Sequence, residues 1–208
     1  MPSVLDSESP PRLAWPPPWA WAGAAVILGV QAGADPALLE YRRDMLASEP
    51  WRALSGHWVH LSWLHALADA AGLVLLASLF FPRARSGLAG LALLALPLAV
   101  SAALYLFWPE LEWYRGFSGV LYALLAAGAL VWLLGPQATP RSRGLALTLL
   151  ALFSLKLIQD RAWQAHWPHA TWLDGPLAPQ AHLAGLALGL GAGLIWACRA
   201  WWRGGPPR

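Results

Sequence analysis

A few reactive side chains interrupt long apolar stretches of this sequence. His60, His65 and Asp69 fall in one stretch, Ser118 lies within Gly116-Phe117-Ser118-Gly119, Lys156 and Gln159 sit in another, and His182 opens the last. Ionisable groups are costly in apolar surroundings and usually mark a functional path. A serine hydroxyl beside a histidine from another segment is the smallest set that can run acyl transfer. The imidazole accepts the hydroxyl proton as the oxygen attacks a carbonyl, then returns it to the leaving amine. Ser118 and His182 are the pair suited to that chemistry. A helix starting at Ser118 would add free N–H groups and partial positive charge for an oxyanion. Gly116 and Gly119 leave the adjoining backbone bare, so a substrate strand can approach.

Composition limits the elements that can carry these groups. Of 208 residues, 58% are hydrophobic and 12% charged, whereas roughly 25% charged residues is usual in a soluble domain. Too few polar groups remain to cover a soluble surface. A disordered chain, a nucleic-acid-binding module and an ordinary soluble enzyme are excluded, which leaves a multi-spanning membrane protein with lipid around it. The single cysteine, Cys198, provides neither a disulfide framework nor a thiolate metal site. No metal or cofactor is expected.

Six apolar segments run at 19–33, 62–81, 87–107, 117–134, 144–160 and 180–200. Most approach the roughly 20 residues that a bilayer requires, the first and fifth being short. Their Leu/Ala-rich make-up favours helices over barrel strands. The expected fold is all-α: a six-helix transmembrane domain over 19–208 behind a Pro-rich, disordered tail at 1–18. The first segment could instead be a signal peptide cut near Ala32-Gly33-Ala34, but Asp6 and Glu8 make a poor basic leader.

The loops predict an orientation. Arg83 and Arg85, Arg141 and Arg143, and Arg199, Arg203 and Arg208 lie in links without acids, while the alternate links hold most of the acidic residues. The positive-inside rule places the Arg-only links and both termini in the cytoplasm. The second, fourth and sixth segments then start at the outer face. Ser118 and His182 share a level there, within about one helical turn or 3–5 Å of the outer ends. Asp69 is expected about five residues deeper. In the sixth segment, His182 leads into Gly185, Gly189 and Gly193, a small-residue face on which the fourth segment can pack closely.

Each feature also has a plain reading. A membrane serine commonly bonds the carbonyl four residues back. An interfacial histidine is often only a structural donor. Lys156 and Asp160 are spaced for an intrahelical pair, and His166 and His169 read as loop residues. The combination of Ser118, His182 and the His65/Asp69 helix at one face outweighs these.

That combination, with Trp51-Arg52, His60-x-x-x-x-His65-x-x-x-Asp69, Gly116-Phe-Ser118-Gly119 and Ala181-His182-x-x-Gly185-x-x-x-Gly189, resembles the rhomboid intramembrane serine proteases. The run from Pro109 to Tyr122 and the Lys156-Leu157 step resemble the rhombosortase branch, small bacterial enzymes with six helices. The resemblance implies Ser118 as nucleophile and His182 as base. It implies that His65 and residue 69 assist the oxyanion, that Trp51-Arg52 forms a half-submerged outer-loop element, and that His60 supports the site. Gly185 and Gly189 match the family's packing face, and Lys156 is a further candidate. The family pattern has Asn where Asp69 stands. An ionised Asp cannot donate to an oxyanion, so Asp69 is expected either to stay protonated or, slightly favoured, to form an ion pair with His65.

The branch implies a transmembrane protein substrate ending in Gly-Gly, one helix and a basic tail, in a bacterial inner membrane with the site near its outer face. Membrane lipid is the other expected partner, and nucleic acid is not one. Three other readings remain: a general rhomboid protease, a catalytically silent rhomboid-like protein that binds membrane clients, and a bundle holding haem between His65 and His182.

Overall fold

Backbone groups within lipid have no water to bond, so the apolar runs satisfy them internally as helices. The computed structural model describes residues 15–136, 138–164, 168–170 and 175–204. In chain order the helices are α1 (Pro18–Gly33), α2 (Pro36–Leu39), α3 (Arg52–Ser55), α4 (Trp63–Phe80), α5 (Ser86–Phe107), α6 (Ser118–Leu134), α7 (Pro140–Gln159) and α8 (Pro179–Gly204). All six apolar segments are therefore helices, within a few residues of their expected limits except at one start. Helices α4, α5, α7 and α8 are long and apolar enough to cross a membrane. The fold is an all-α membrane bundle. Most of the 1–18 tail lies outside the described residues.

The fifth segment is not short. A capping box starts α7 at Pro140: Thr139 accepts from Ser142 N–H while the Ser142 hydroxyl accepts from Thr139 N–H. The helix thus takes in Arg141 to Arg143 and reaches 20 residues. The short helices are α1, with 16 residues as expected, and, in place of the fifth segment, α6, with 17. Helix α6 is also the most enclosed, with α4, α7 and α8 packed around it. Ten consecutive or near-consecutive residues from Gly119 to Ala129 are buried on it, so it meets protein rather than lipid.

Between α1 and α4 runs the loop that the sequence predicts to be outside, termed the outer loop, with α2, α3, a single 3-10 turn (Arg43–Met45) and strand β1 (Tyr41–Arg42). That strand pairs antiparallel with β2 (Trp113–Tyr114), Tyr41 opposite Tyr114. A second pair joins β3 (His169–Ala170) to β4 (Gly175–Pro176). His166 lies outside the described residues. Trp51, Trp63 and Trp163 are exposed near one end of the bundle and Trp15 and Trp202 near the other, as interfacial aromatic belts require.

The closest helix contact joins α6 to α8. A Cβ on Gly119 would lie 2.9 Å from the Ala181 carbonyl oxygen, and one on Gly193 would lie 2.8 Å from Leu130 Cβ. At Gly185 and Gly189 it would overlap the carbonyl groups of Gly119 and Ala123 outright. Glycines therefore set the separation of the two backbones, which is how helices associate when lipid offers no hydrophobic drive. Overpacking a tight core costs typically about 1–3 kcal/mol, occasionally more. Gly185→Val should thus lower the thermal midpoint in detergent by several degrees, whereas Gly191→Val, at a position with open space around it, should leave it within a degree or two. Equal midpoints for the two variants would show that the contact is not tight.

Candidate active site

The Ser118 side chain does not turn back along its own helix. Its hydroxyl lies 2.8 Å from Nε2 of His182, across the glycine contact of α6 and α8. The His182 ring stacks flat on Tyr122, with centroids 4.5 Å apart and planes 7° from parallel. Tyr122 lies one turn beyond Ser118 on α6, so the helix that carries the hydroxyl also orients the imidazole. His182 Nδ1 is buried without a hydrogen-bond partner among the described residues. Among the described residues no carboxylate takes the third place of a triad there, and ring stacking holds the histidine.

Ser118 opens α6, with Phe117 as N-cap. Its own N–H and that of Gly119 belong to the first helical turn, where no intrahelical acceptor exists. The chain reaches this point through Gly116, whose φ of +123° few other residues adopt. A Cβ there would also sit 2.8 Å from His65 Cε1. Two further bonds hold the turn: Gly116 N–H donates to the Gly56 carbonyl (3.1 Å), and the Tyr114 hydroxyl donates to the Gly116 carbonyl.

Asp69 has more partners than the expected His65. Its Oδ2 accepts the Phe117 N–H at 2.7 Å and lies 3.0 Å from His60 Nε2. His65 Nε2, the expected partner one turn back on α4, is more distant at 3.5 Å. A backbone N–H can only donate, so Oδ2 is the acceptor in that bond. Nor is Asp69 deeper than the serine. The 115–117 segment descends into the bundle to meet it, so the carboxylate is level with the residue before Ser118. Asp69 thus anchors the serine turn and fixes His60, which is itself buried beside His65 with ring centroids 4.9 Å apart.

His65, Ser118 and His182 line one cavity with Leu61, Tyr114 and Arg115, closed on the loop side by Pro176 to Ala178. The free space is about 10 Å³, room for about one water. A haem between His65 and His182 has no space. Among the described residues no three His, Cys, Asp or Glu side chains converge as a metal site.

The remaining sequence candidates are distributed as follows. Gly119 serves the helix contact as well as presenting its N–H, and Gly185 and Gly189 serve that contact alone. Arg52 is buried, donating to Glu49 (2.5 Å) and to the Ala37 and Glu40 carbonyls (2.9 and 3.0 Å). It ties the outer loop together and does not touch the serine. Trp51 is half exposed and makes no contact with the pair. Lys156 pairs with Asp160 on its own helix and is not brought to Ser118.

Three residues at the site escaped the sequence reading. Tyr122 had a usable signal in its i+4 spacing from Ser118. Tyr114 carried none, since only the β1–β2 pairing puts its hydroxyl within reach of the Ser118 side chain and the Gly119 backbone. Burial pushes its phenol pKa up, so it stays a donor. His57 is wholly buried, with Nε2 2.9 Å from the Ser101 hydroxyl, which in turn donates to the Ala53 carbonyl (2.6 Å). Burial pushes its imidazole down to about 3, so it is neutral at any working pH. Its ring edge meets Tyr114, with centroids 5.0 Å apart.

With this geometry in view, the family comparison is direct: residues 47–199 match the Rhomboid domain family. The chain belongs to the rhomboid family. The matched span holds every residue of the site, from the outer loop to α8. Rhomboid proteins are intramembrane serine proteases, and this one is a multi-pass membrane protein of that family. No curated protein matches the chain.

Leaving the Phe117 N–H without its acceptor costs about 1–3 kcal/mol. Asp69→Ala should therefore destabilise this rhomboid protein measurably and cut any peptidase activity at least ten-fold. Asp69→Asn keeps one acceptor oxygen and should recover most of the thermal midpoint. If both variants melt with the wild type, the anchor is not formed.

Proposed function

We propose that this rhomboid protein is an active intramembrane serine endopeptidase that cleaves C-terminal transmembrane tails of exported proteins, as rhombosortases do. The observation that carries the reading is the 2.8 Å contact between the Ser118 hydroxyl and His182 Nε2. Ser118 Oγ attacks the scissile carbonyl carbon while its proton passes to Nε2. The oxyanion forms against the first N–H groups of α6, Ser118 and Gly119, with His65 facing the same cavity. Collapse breaks the C–N bond, and His182 gives the proton to the departing amine. Water, deprotonated by His182, then releases Ser118 from the acyl-enzyme.

The substrate assignment rests on the branch resemblance and on the space available. A cavity of about 10 Å³ suits residues without side chains, and glycine also lowers the cost of unwinding a helix for attack. Both termini are placed in the cytoplasm and the pair near the outer face of a bacterial inner membrane, following the Arg-only links. A second reading, a silent client-binding rhomboid, draws on Asp69 in place of Asn. The anchoring role of Asp69 leaves the oxyanion to other donors and weakens it.

A secreted reporter carrying Gly-Gly, a transmembrane helix and a basic tail should be cut when co-expressed with the wild type. It should stay intact with Ser118→Ala or His182→Ala at equal protein levels. Replacing Gly-Gly by Leu-Leu should slow cleavage at least ten-fold. Equal cutting of the Leu-Leu tail would leave a general rhomboid protease, and cutting by Ser118→Ala would end the protease reading.

A further inference from the structure

An apolar groove of about 780 Å³ lies on the other side of the bundle, between α1 and the first turns of α5. One wall is the α1 face of Trp19, Val26 and Val30; the other is Gly90, Leu93 and Leu94. Its outer end is roofed by the outer loop, with Leu39, Ser55 and Trp58, and its inner end by Pro18 and Ser86. The lining runs about 12 Å along α5, from Ser86 to Leu94, and about 18 Å along α1, from Pro18 to Val30, at 1.5 Å per residue. Both are close to one leaflet, half of a hydrocarbon core of roughly 30 Å. The roof stops a membrane-spanning helix from lying along the groove, while a chain confined to one leaflet fits beneath it.

Charge decides what enters. Arg85 immediately precedes Ser86 at the inner mouth, and Arg83 lies two residues before that. Both are exposed, and neither is paired among the described residues. Two unpaired guanidinium groups at the headgroup level, above an apolar slot one leaflet deep, complement a single amphiphile with a negative head. We propose that this groove binds one anionic glycerophospholipid, its phosphate held by Arg83 and Arg85 and an acyl chain lying along Gly90 to Trp58. The chain end would then rest under Trp58, whose ring packs on Phe117 with centroids 4.8 Å apart. Phe117 is the residue whose N–H bonds Asp69, so the lipid touches the support of the serine turn and not the turn itself.

Native mass spectrometry of the full chain in detergent tests this, with phosphatidylglycerol and phosphatidylethanolamine of the same acyl length offered separately. Near-surface arginines contribute about 1 kcal/mol each, so the wild type should retain one phosphatidylglycerol about ten- to thirty-fold better than phosphatidylethanolamine. Arg83→Gln with Arg85→Gln should bring the ratio close to one. Gly90→Leu should reduce retention of both lipids at least five-fold. A Cβ at Gly90 meets nothing within 4 Å, and leucine is the better helix former, so the variant should fold and melt as the wild type does. Equal retention of the two lipids by the wild type would overturn the proposal, as would lipid still held by Gly90→Leu. A dimer peak in place of bound lipid, lost in Gly90→Leu, would assign the groove to a second copy and overturn it as well.

Discussion

Contact between two helix backbones governs everything at this site. Ser118 and His182 sit on separate helices, and a hydroxyl reaches an imidazole at 2.8 Å only if those helices almost touch. Within lipid no hydrophobic force brings them together, so the approach depends on packing at short range. Gly119, Gly185 and Gly189 provide it by leaving room for carbonyl groups of the facing helix where side chains would stand. Tyr122 uses the same contact, filling the space above Gly185 and giving His182 a flat surface to lie on. Stacking across that interface holds the histidine ring in place.

The serine turn is the second constraint, and it is held from three directions. Asp69 on α4 takes the Phe117 N–H, Gly56 beyond α3 takes the Gly116 N–H, and Tyr114 on β2 donates to the Gly116 carbonyl. Each bond alone contributes on the order of 1 kcal/mol, but together they fix a left-handed glycine and the first turn of α6. The outer loop is thereby part of the frame that holds the Ser118 turn, although Trp51 and Arg52 never reach the serine. Arg52 holds that loop, and through Glu40 the loop also holds Arg115 at 2.8 Å, on the rim of the cavity.

Features repeated along one segment were legible in the sequence. Six apolar runs, the four-residue glycine spacing after His182 and the Gly-Phe-Ser-Gly turn are all local patterns, and each maps onto an element or contact. Pairings set by the path of a loop were not. Asp69 was matched to His65 by helical spacing, yet its short contacts go to His60, in the extended chain before α4, and to Phe117, some fifty residues later. Its depth was misjudged for the same reason: residue counting along α4 cannot show that the 115–117 segment descends to meet it. The start of α7 was placed late because Arg141 to Arg143 are polar, although Thr139, Pro140 and Ser142 form a recognisable helix opening. Tyr114 and His57 could not have been found from spacing, since the β1–β2 pair and a buried bond to α5 bring them in.

Whether Ser118 is an activated nucleophile is the claim on which the functional reading stands. Its most direct measurement uses no substrate: the purified protein is treated with a fluorophosphonate, which phosphonylates only a serine whose proton can be taken up, and the adduct is located by peptide mass. The expected result is one adduct, on Ser118, absent from His182→Ala and restored by no other histidine. An unmodified Ser118 in a protein that is folded by its melting curve, or an adduct that forms equally well in His182→Ala, would contradict the account.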